Sequence, residues 1–161
     1  MTTPKNGLRF LALDSATVQA LRQGSPDANG QAPARQLSDG GGNPCRHCLD
    51  DIAEGDPFLV LAHRPFPAPQ PYAELGPIFL HAEDCPRYDE AAGVPAMFLR
   101  REAILLRGYG ADDRIVYGTG KVIPTEDIAA MAAHLFARPE IAYIHLRSAS
   151  NNCYQCRIER G

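Results

Sequence analysis

The positions of the five cysteines constrain the fold of this chain more than any other feature of its sequence. They fall in three short segments: Cys45-Arg46-His47-Cys48, His81-Ala82-Glu83-Asp84-Cys85 and Cys153-Tyr154-Gln155-Cys156. Only two or three residues separate each cysteine from another thiol or from an imidazole, and this is the spacing that a tetrahedral metal site requires. We therefore expect a domain that is organised around a metal ion.

The composition is typical of a soluble protein from a reducing compartment. A chain of 161 residues, 45% of them hydrophobic, suffices for a single domain that spans residues 1–161. No apolar stretch approaches about eighteen residues and no secretory signal is evident, so we expect no membrane association and a cytoplasmic location. The odd number of thiols agrees with free or metal-bound cysteines. The net charge of −3 argues against a nucleic-acid partner.

The apolar patterns predict short strands that are joined mostly by turns. Strands are predicted at 8–13, 58–62, 78–80, 104–109, 114–117, 141–147 and 153–159, with 104–109 and 114–117 paired as a hairpin. One helix is predicted over 16–23 with Ser15 as its cap, and another begins after Thr125 and ends before Pro139. This order indicates an α+β fold with a mostly antiparallel sheet and two to three helices.

Residues 24–44 differ in composition from the rest of the chain. Five glycines and three prolines fall in this segment, and Leu37 is its only large aliphatic residue. Such a segment buries too little apolar surface to offset the entropy lost on ordering it. We predict a long Gly/Pro-rich loop within the domain.

The first two cysteine segments together predict a zinc site. Cys45 and Cys48 form a Cys-x-x-Cys knuckle, in which backbone amides point at the sulfurs. His81 and Cys85 lie four residues apart, and we predict them on one face of a short helix. The order of knuckle, two strands and helix resembles the treble-clef arrangement of zinc-binding folds, so we expect a treble-clef-like zinc knuckle in the N-terminal half. The alternative is a set of ordinary buried thiols with a hydrogen-bonded histidine.

A second Cys-x-x-Cys pair, Cys153 and Cys156, competes for a place in the metal site. The usual four-cysteine site joins two such pairs. In an extended strand, however, residues three apart point to opposite faces, so this pair needs a bulge or a turn, which Asn151 and Asn152 can supply. Within the first knuckle, His47 is expected to point outward.

The last two predicted strands gather polar side chains on one face of the sheet. A symmetric five-residue loop over 148–152 pairs Arg147 with Cys153, His145 with Gln155, and Tyr143 with Arg157. Histidine, arginine and tyrosine recognise anions or transfer protons. We hypothesise that a small anionic ligand or a partner's carboxylate binds to Tyr143, Arg147, Gln155 and Arg157. The alternative is an ordinary solvated face.

Several segments resemble those of a bacterial family called domain of unknown function 1203. They are Asn43-Pro44-Cys45-Arg46-His47-Cys48-Leu49, residues 71–81 with Cys85, and residues 106–109, 142–147 and 153–157. The similarity covers the chain from about Leu8 to its end, apart from residues 25–36. The resemblance implies a cytosolic bacterial protein of this size, and it implies no reaction and no catalytic residue.

Two classes of function are open at this stage. The first is a zinc-stabilised binding module for a small anionic ligand or a protein partner. The second is a thiol- or zinc-dependent enzyme with Cys153 as nucleophile and His145 as base, which needs an open coordination position or a reactive thiol. The glycine run 40–42 lacks the Lys-Ser/Thr of a phosphate-binding loop.

Overall fold

Two antiparallel sheets make up the core of the fold in a computed structural model, which describes residues 3–161. The strands are β1 (Leu8–Leu11), β2 (Ala34–Leu37), β3 (Pro57–His63), β4 (Gly76–His81), β5 (Ala103–Tyr109), β6 (Lys121–Pro124), β7 (Tyr143–Ser148) and β8 (Tyr154–Arg160). The helices are α1 (Ser15–Arg22), α2 (Ala96–Leu99) and α3 (Ile128–Phe136). The five-stranded sheet has the order β1-β8-β7-β5-β6 and the three-stranded sheet the order β2-β3-β4. The predicted α+β class is confirmed.

Helix α1 packs against the three-stranded sheet. It begins one residue earlier than predicted, because Asp14 rather than Ser15 is its cap: the Asp14 carboxylate accepts a hydrogen bond from the backbone N–H of Thr17 at 2.9 Å. Val18 and Leu21, three residues apart, are the buried residues of α1 and share an apolar cluster with β3 and β4. The helix is thereby fixed beside the end of β4.

Helix α3 covers the five-stranded sheet with the apolar face that its sequence predicts. Ile128, Ala132 and Leu135 are its buried residues, and they join the cluster that contains Leu106 and Leu146. The helix ends at Phe136, shortly before Pro139. Within residues 3–161, no helix is long and apolar enough to span a lipid bilayer.

The partner of β5 differs from the prediction. The predicted hairpin of 104–109 with 114–117 is only partly formed. The end of β5 pairs with this segment through a bridge from Tyr109 to Ile115 and a hydrogen bond from the N–H of Val116 to the carbonyl of Gly108 at 2.9 Å, whereas residues 103–106 pair with β6 (Lys121–Pro124). The Thr119 side chain explains this difference, since its Oγ1 accepts a hydrogen bond from the N–H of Gly108 at 2.9 Å and donates one to the carbonyl of Val116 at 2.6 Å. The Thr119 hydroxyl thus replaces a main-chain acceptor for the N–H of Gly108.

The register of β7 and β8 also differs from the symmetric hairpin that the sequence suggests. His145 lies opposite Arg157 rather than Gln155, and Arg147 lies opposite Tyr154 rather than Cys153. The shift between these two pairs leaves Gln155 as the extra residue of a β-bulge. The displacement is two residues at His145 and one residue at Arg147. His145 and Arg157 therefore still share a face, and the bulge brings Tyr154 onto it, with its ring centre 4.8 Å from that of His145.

Part of the predicted loop 24–44 is a strand. β2 (Ala34–Leu37) pairs with β3, although all four of its residues are exposed. Asp27 secures the chain before it, because its carboxylate accepts a hydrogen bond from the N–H of Ala62 in β3 at 2.9 Å. Main-chain pairing therefore orders this segment, and apolar burial does not.

The contrast between the core and the β2 edge gives a first prediction. Leu106 is 0% exposed in the main apolar cluster and Leu37 is 72% exposed. We expect Leu106→Ala to lower the free energy of unfolding by about 2–5 kcal/mol, because it leaves a cavity in a packed core. The matched control Leu37→Ala is expected to change it by about 0.5 kcal/mol or less. Denaturant unfolding at equilibrium measures both values, and equal losses would contradict the assignment of the core.

Candidate metal centre

The Cys45–Cys48 knuckle is a tight turn attached to the edge of β4. The backbone N–H of Leu49 donates to the carbonyl of Cys45 at 3.0 Å, and Leu49 has a positive φ of 52°. The N–H of Arg46 donates to the carbonyl of Phe79 at 3.0 Å, and Cys45 forms a parallel bridge with the same residue. The knuckle is therefore held beside the strand that ends in His81.

His81 is the last residue of β4, and Cys85 follows in an irregular loop. The helix that we predicted there is wrong, because no helix occurs between β4 and α2. Pro86 disfavours a helical conformation at Cys85 and has no N–H to donate. The carbonyl of His81 is taken by the Arg22 side chain, whose Nε donates to it at 3.0 Å. The loop brings Cys85 back to the knuckle without a helical turn.

The four predicted ligand residues come together in one cluster. One donor atom from each of Cys45, Cys48, His81 and Cys85 lies within 4.8 Å of all the others. The Sγ atoms of Cys45 and Cys85 are 3.9 Å apart, and Cys48 Sγ is 3.5 Å from His81 Nδ1. Cys45 is fully buried and the other three are half-buried. A Cys₃His set of this size can hold a metal ion.

Two further side chains surround the Cys85 sulfur. Arg22 Nη2 donates to this sulfur at 3.1 Å, and His47 Nδ1 lies 3.3 Å from it. The other ring nitrogen of His47, Nε2, is 2.9 Å from Ser15 Oγ at the start of α1. The expectation that His47 points outward is wrong, since it is only 3% exposed. Such second-layer contacts orient metal ligands, and the arginine offsets thiolate charge.

Without a metal ion, the thiols and the imidazole of the cluster share their protons through hydrogen bonds with one another. Hydrogen bonds from Cys48 and Cys85 lower the pKa of Cys45, while the pKa of Cys48 is raised by its hydrogen bonds to Cys45 and Cys85. Hydrogen bonding to Cys45 and Cys85 raises the pKa of His81 to about 10. The cluster on its own therefore favours a thiolate beside a protonated imidazole. A divalent cation changes this balance, because it stabilises three thiolates and a neutral imidazole together.

The second Cys-x-x-Cys pair lies outside the cluster. Cys156 is fully buried in β8 opposite Leu146, and this burial raises the pKa of its thiol. Cys153 precedes β8 and is half-buried, with its Sγ 3.8 Å from the carbonyl of Asn151. The two thiols therefore do not compete with the four clustered residues for one ion.

The candidate nucleophile and base are not brought together. The Cys153 backbone pairs with Ser148, three residues beyond His145, and no hydrogen bond joins the two side chains within residues 3–161. His145 is 0% exposed and lies against four aromatic rings at centroid distances of 4.7–5.2 Å. Burial, followed by the charge of Arg147, holds the pKa of His145 well below its usual value. The imidazole is neutral and enclosed.

The face predicted to bind an anion is packed rather than solvated. Arg147 is buried, and its Nη1 lies 3.3 Å from Glu74 Oε2. The Arg157 guanidinium lies 3.8 Å above the centre of the Tyr143 ring. The Tyr143 hydroxyl donates to Asp113 Oδ1 at 2.8 Å, and Gln155 Nε2 donates to the carbonyl of Cys153 at 3.3 Å. Each of these four residues thus has at least one contact within the fold, whereas Nε and Nη2 of Arg147 and Nε of Arg157 are buried without a hydrogen-bond partner among residues 3–161.

One family model matches the chain. The family is described as "Protein of unknown function (DUF1203)", and the match covers residues 42–160. None of the curated proteins and none of the solved structures matches the chain. The matched range contains all four residues of the cluster but begins after α1, which supplies Arg22 and Ser15 to its surroundings.

The contact of His47 with Cys85 gives a second prediction. With Zn²⁺ as the probe ion, we expect His47→Ala to weaken metal binding to the cluster by about 10–100-fold, because the Cys85 sulfur loses a group that orients it while the four clustered residues remain. His134→Ala is the matched control, since His134 is exposed on α3 far along the chain. Competition with a colorimetric chelator measures both affinities. An unchanged affinity in His47→Ala would show that this histidine only fills space.

Proposed function

Because the chain belongs to the DUF1203 family, whose function is unknown, its activity must be inferred from its own residues, and we propose that it binds one Zn²⁺ ion at Cys45, Cys48, His81 and Cys85. The donor set supports zinc, because thiolate and imidazole are the ligands of structural zinc sites. Harder ions such as Mg²⁺ and Ca²⁺ take oxygen ligands instead.

The spacing of the donor atoms supports the same ion. With Zn–S bonds of about 2.3 Å and a Zn–N bond of about 2.0–2.1 Å, tetrahedral geometry separates two sulfurs by about 3.8 Å and a sulfur and a nitrogen by about 3.6 Å. The corresponding distances here are 3.9 Å from Cys45 to Cys85 and 3.5 Å from Cys48 to His81. These two distances match those of a zinc site, and the four donor atoms all lie within 4.8 Å of one another. This agreement is the observation that carries the proposal.

The proposed ion has a structural role. Four protein donors complete a tetrahedral shell, whereas catalytic zinc sites keep one position for water or substrate. The ion joins the knuckle, the end of β4 and the loop after it, and Arg22 links these elements to α1. It thus stabilises the three-stranded sheet and its helix as one unit.

We further propose that the zinc-stabilised domain is a binding module for a small anionic ligand or a protein partner, in a reducing cytoplasm. The buried Arg46, which has no carboxylate partner within residues 3–161, supports an anion, because a buried guanidinium favours negative charge nearby. The separation of Cys153 from His145 gives no support to the enzyme alternative.

Metal content and thiol reactivity test the zinc proposal together. Protein purified without chelator is expected to carry about one zinc per chain. An alkylating reagent should then modify Cys153 rapidly, because the cluster thiols are shielded by the ion and Cys156 is buried. Chelator should add the three cluster thiols to the reactive set. Elemental analysis and mass spectrometry measure these quantities.

Two cysteine variants sharpen this experiment. Cys48→Ser removes a ligand and should lose most of the zinc, whereas Cys153→Ser lies outside the cluster and should keep it. Equal zinc contents in the two variants would contradict the assigned ligands.

The structural role of the ion predicts a large effect on stability. With zinc at about a thousand times its dissociation constant, binding adds about 4 kcal/mol to the folded state. For a domain of this size, removing it should lower the melting temperature by roughly 10 °C. Calorimetry with and without chelator measures the shift. Cys153→Ser should show the same shift as the unsubstituted protein. If chelator leaves the melting temperature of both proteins unchanged, the structural role of the ion is contradicted.

A further inference from the structure

A cleft of about 520 Å³ opens where β4 of the small sheet meets the β7–β8 turn of the large one. Its size is within the range of small-molecule sites. Phe79, Phe98 and Ile104 supply apolar walls, Cys153 lies on its rim, and Arg46 supplies a charge. Ser148, Ser150, Asn151 and Gln155 add polar groups to the lining, so the cleft offers both apolar walls and hydrogen-bonding groups to a ligand.

Arg46 is the unusual member of this lining. It is only 2% exposed, and its Nε and Nη1 donate to the carbonyls of Tyr154 and Pro44 at 2.7 and 2.6 Å. Its Nη2 has no hydrogen-bond partner in the part of the chain that the structure describes, and no carboxylate there lies within ion-pair distance of it. A buried charge without a counter-ion is costly. This cost indicates that Arg46 has a partner from outside the chain.

The neighbouring charges do not supply that partner. Arg101 also lines the cleft, but Asp51 accepts hydrogen bonds from its Nη1 and Nη2 at 2.8 and 2.6 Å. Glu102 is an exposed residue of the lining and forms no ion pair with Arg46 within residues 3–161. Arg22 already lies against the sulfur of Cys85 and offsets thiolate charge there. Within residues 3–161, Arg46 has no carboxylate partner in the cleft, and its guanidinium carbon lies 5.7 Å from the centre of the Phe79 ring.

We infer that this cleft binds a small organic acid with an apolar body. The carboxylate pairs with the Arg46 guanidinium, and the apolar body lies against Phe79, Phe98 and Ile104. The site differs from the Arg147–Arg157 face, where Glu74 lies 3.3 Å from Arg147 and the centre of the Tyr143 ring lies 3.8 Å from Arg157. The inference deepens the proposed function and rests on it, because Arg46 belongs to the knuckle that the zinc ion holds in place.

Hexanoate is a suitable probe, and the Cys153 thiol reports on occupancy of the cleft rim. In zinc-loaded protein, saturating hexanoate is expected to slow alkylation of Cys153 by iodoacetamide at least about fivefold. Its dissociation constant should be at least about tenfold lower than that of hexanol, because only the acid forms charge-assisted hydrogen bonds with Arg46. Hexylammonium should give no protection. Equal protection by all three compounds, or none by hexanoate, would overturn the inference.

Variants locate the site. Arg46→Met removes the charge, and Ala103→Phe fills the cleft while it leaves Arg46 in place; both should lose protection by hexanoate. The exposed Arg35→Met is the matched arginine control and should keep it. If Arg46→Met fails to fold, Ala103→Phe alone tests the site. Hexanoate that still protects Cys153 from alkylation in Ala103→Phe would contradict the assigned cleft.

Zinc content measured on the same samples separates the two proposals. About one zinc per chain without hexanoate protection overturns the cleft and leaves the zinc site intact. Hexanoate protection that depends on Arg46, in protein that carries no zinc when purified without chelator, supports the cleft and overturns the zinc site.

Discussion

The close approach of three sulfurs and one imidazole is the constraint on which the rest of the structure depends. These groups come from two segments, 45–48 and 81–85, that are separated by two strands. Two of these sulfurs, those of Cys45 and Cys85, are 3.9 Å apart. Desolvated thiols this close cannot all ionise unless a cation compensates their negative charge, so the protonation state of the cluster depends on whether a cation is bound. The surrounding elements hold the cluster together: the edge of β4 positions the knuckle, and Arg22 joins Cys85 to α1.

Arginine carries positive charge into the interior at several points, each with a different kind of partner. Arg22 donates to a sulfur and a carbonyl, Arg147 faces Glu74, and Arg46 meets two carbonyls. A planar guanidinium can satisfy several acceptors at once, which a lysine ammonium at the same depth does less well. The interior therefore tolerates these positive charges where several acceptors converge. Arg46 differs from Arg22 and Arg147 because both of its hydrogen-bond acceptors are uncharged carbonyls.

Local sequence patterns predicted most of the elements and the four clustered residues, since periodicity and ligand spacing act over a few residues. The apolar face of α3 and the β3–β4 pair are examples. The β7–β8 register was missed because the bulge at Gln155 depends on contacts between strands. The place of His47 was missed because its partners, Ser15 and Cys85, are more than thirty residues away along the chain. No local signal marks such contacts.

The knuckle connects the proposed ion to the proposed cleft. Its cysteines point to β4 and the loop after it, while Arg46, between them, reaches across to the carbonyl of Tyr154 in β8. The same short turn therefore ties the small sheet to the large one. A ligand that pairs with Arg46 favours the folded knuckle, and so does zinc. Because coupling free energies are reciprocal, each of the two must then raise the affinity of the other.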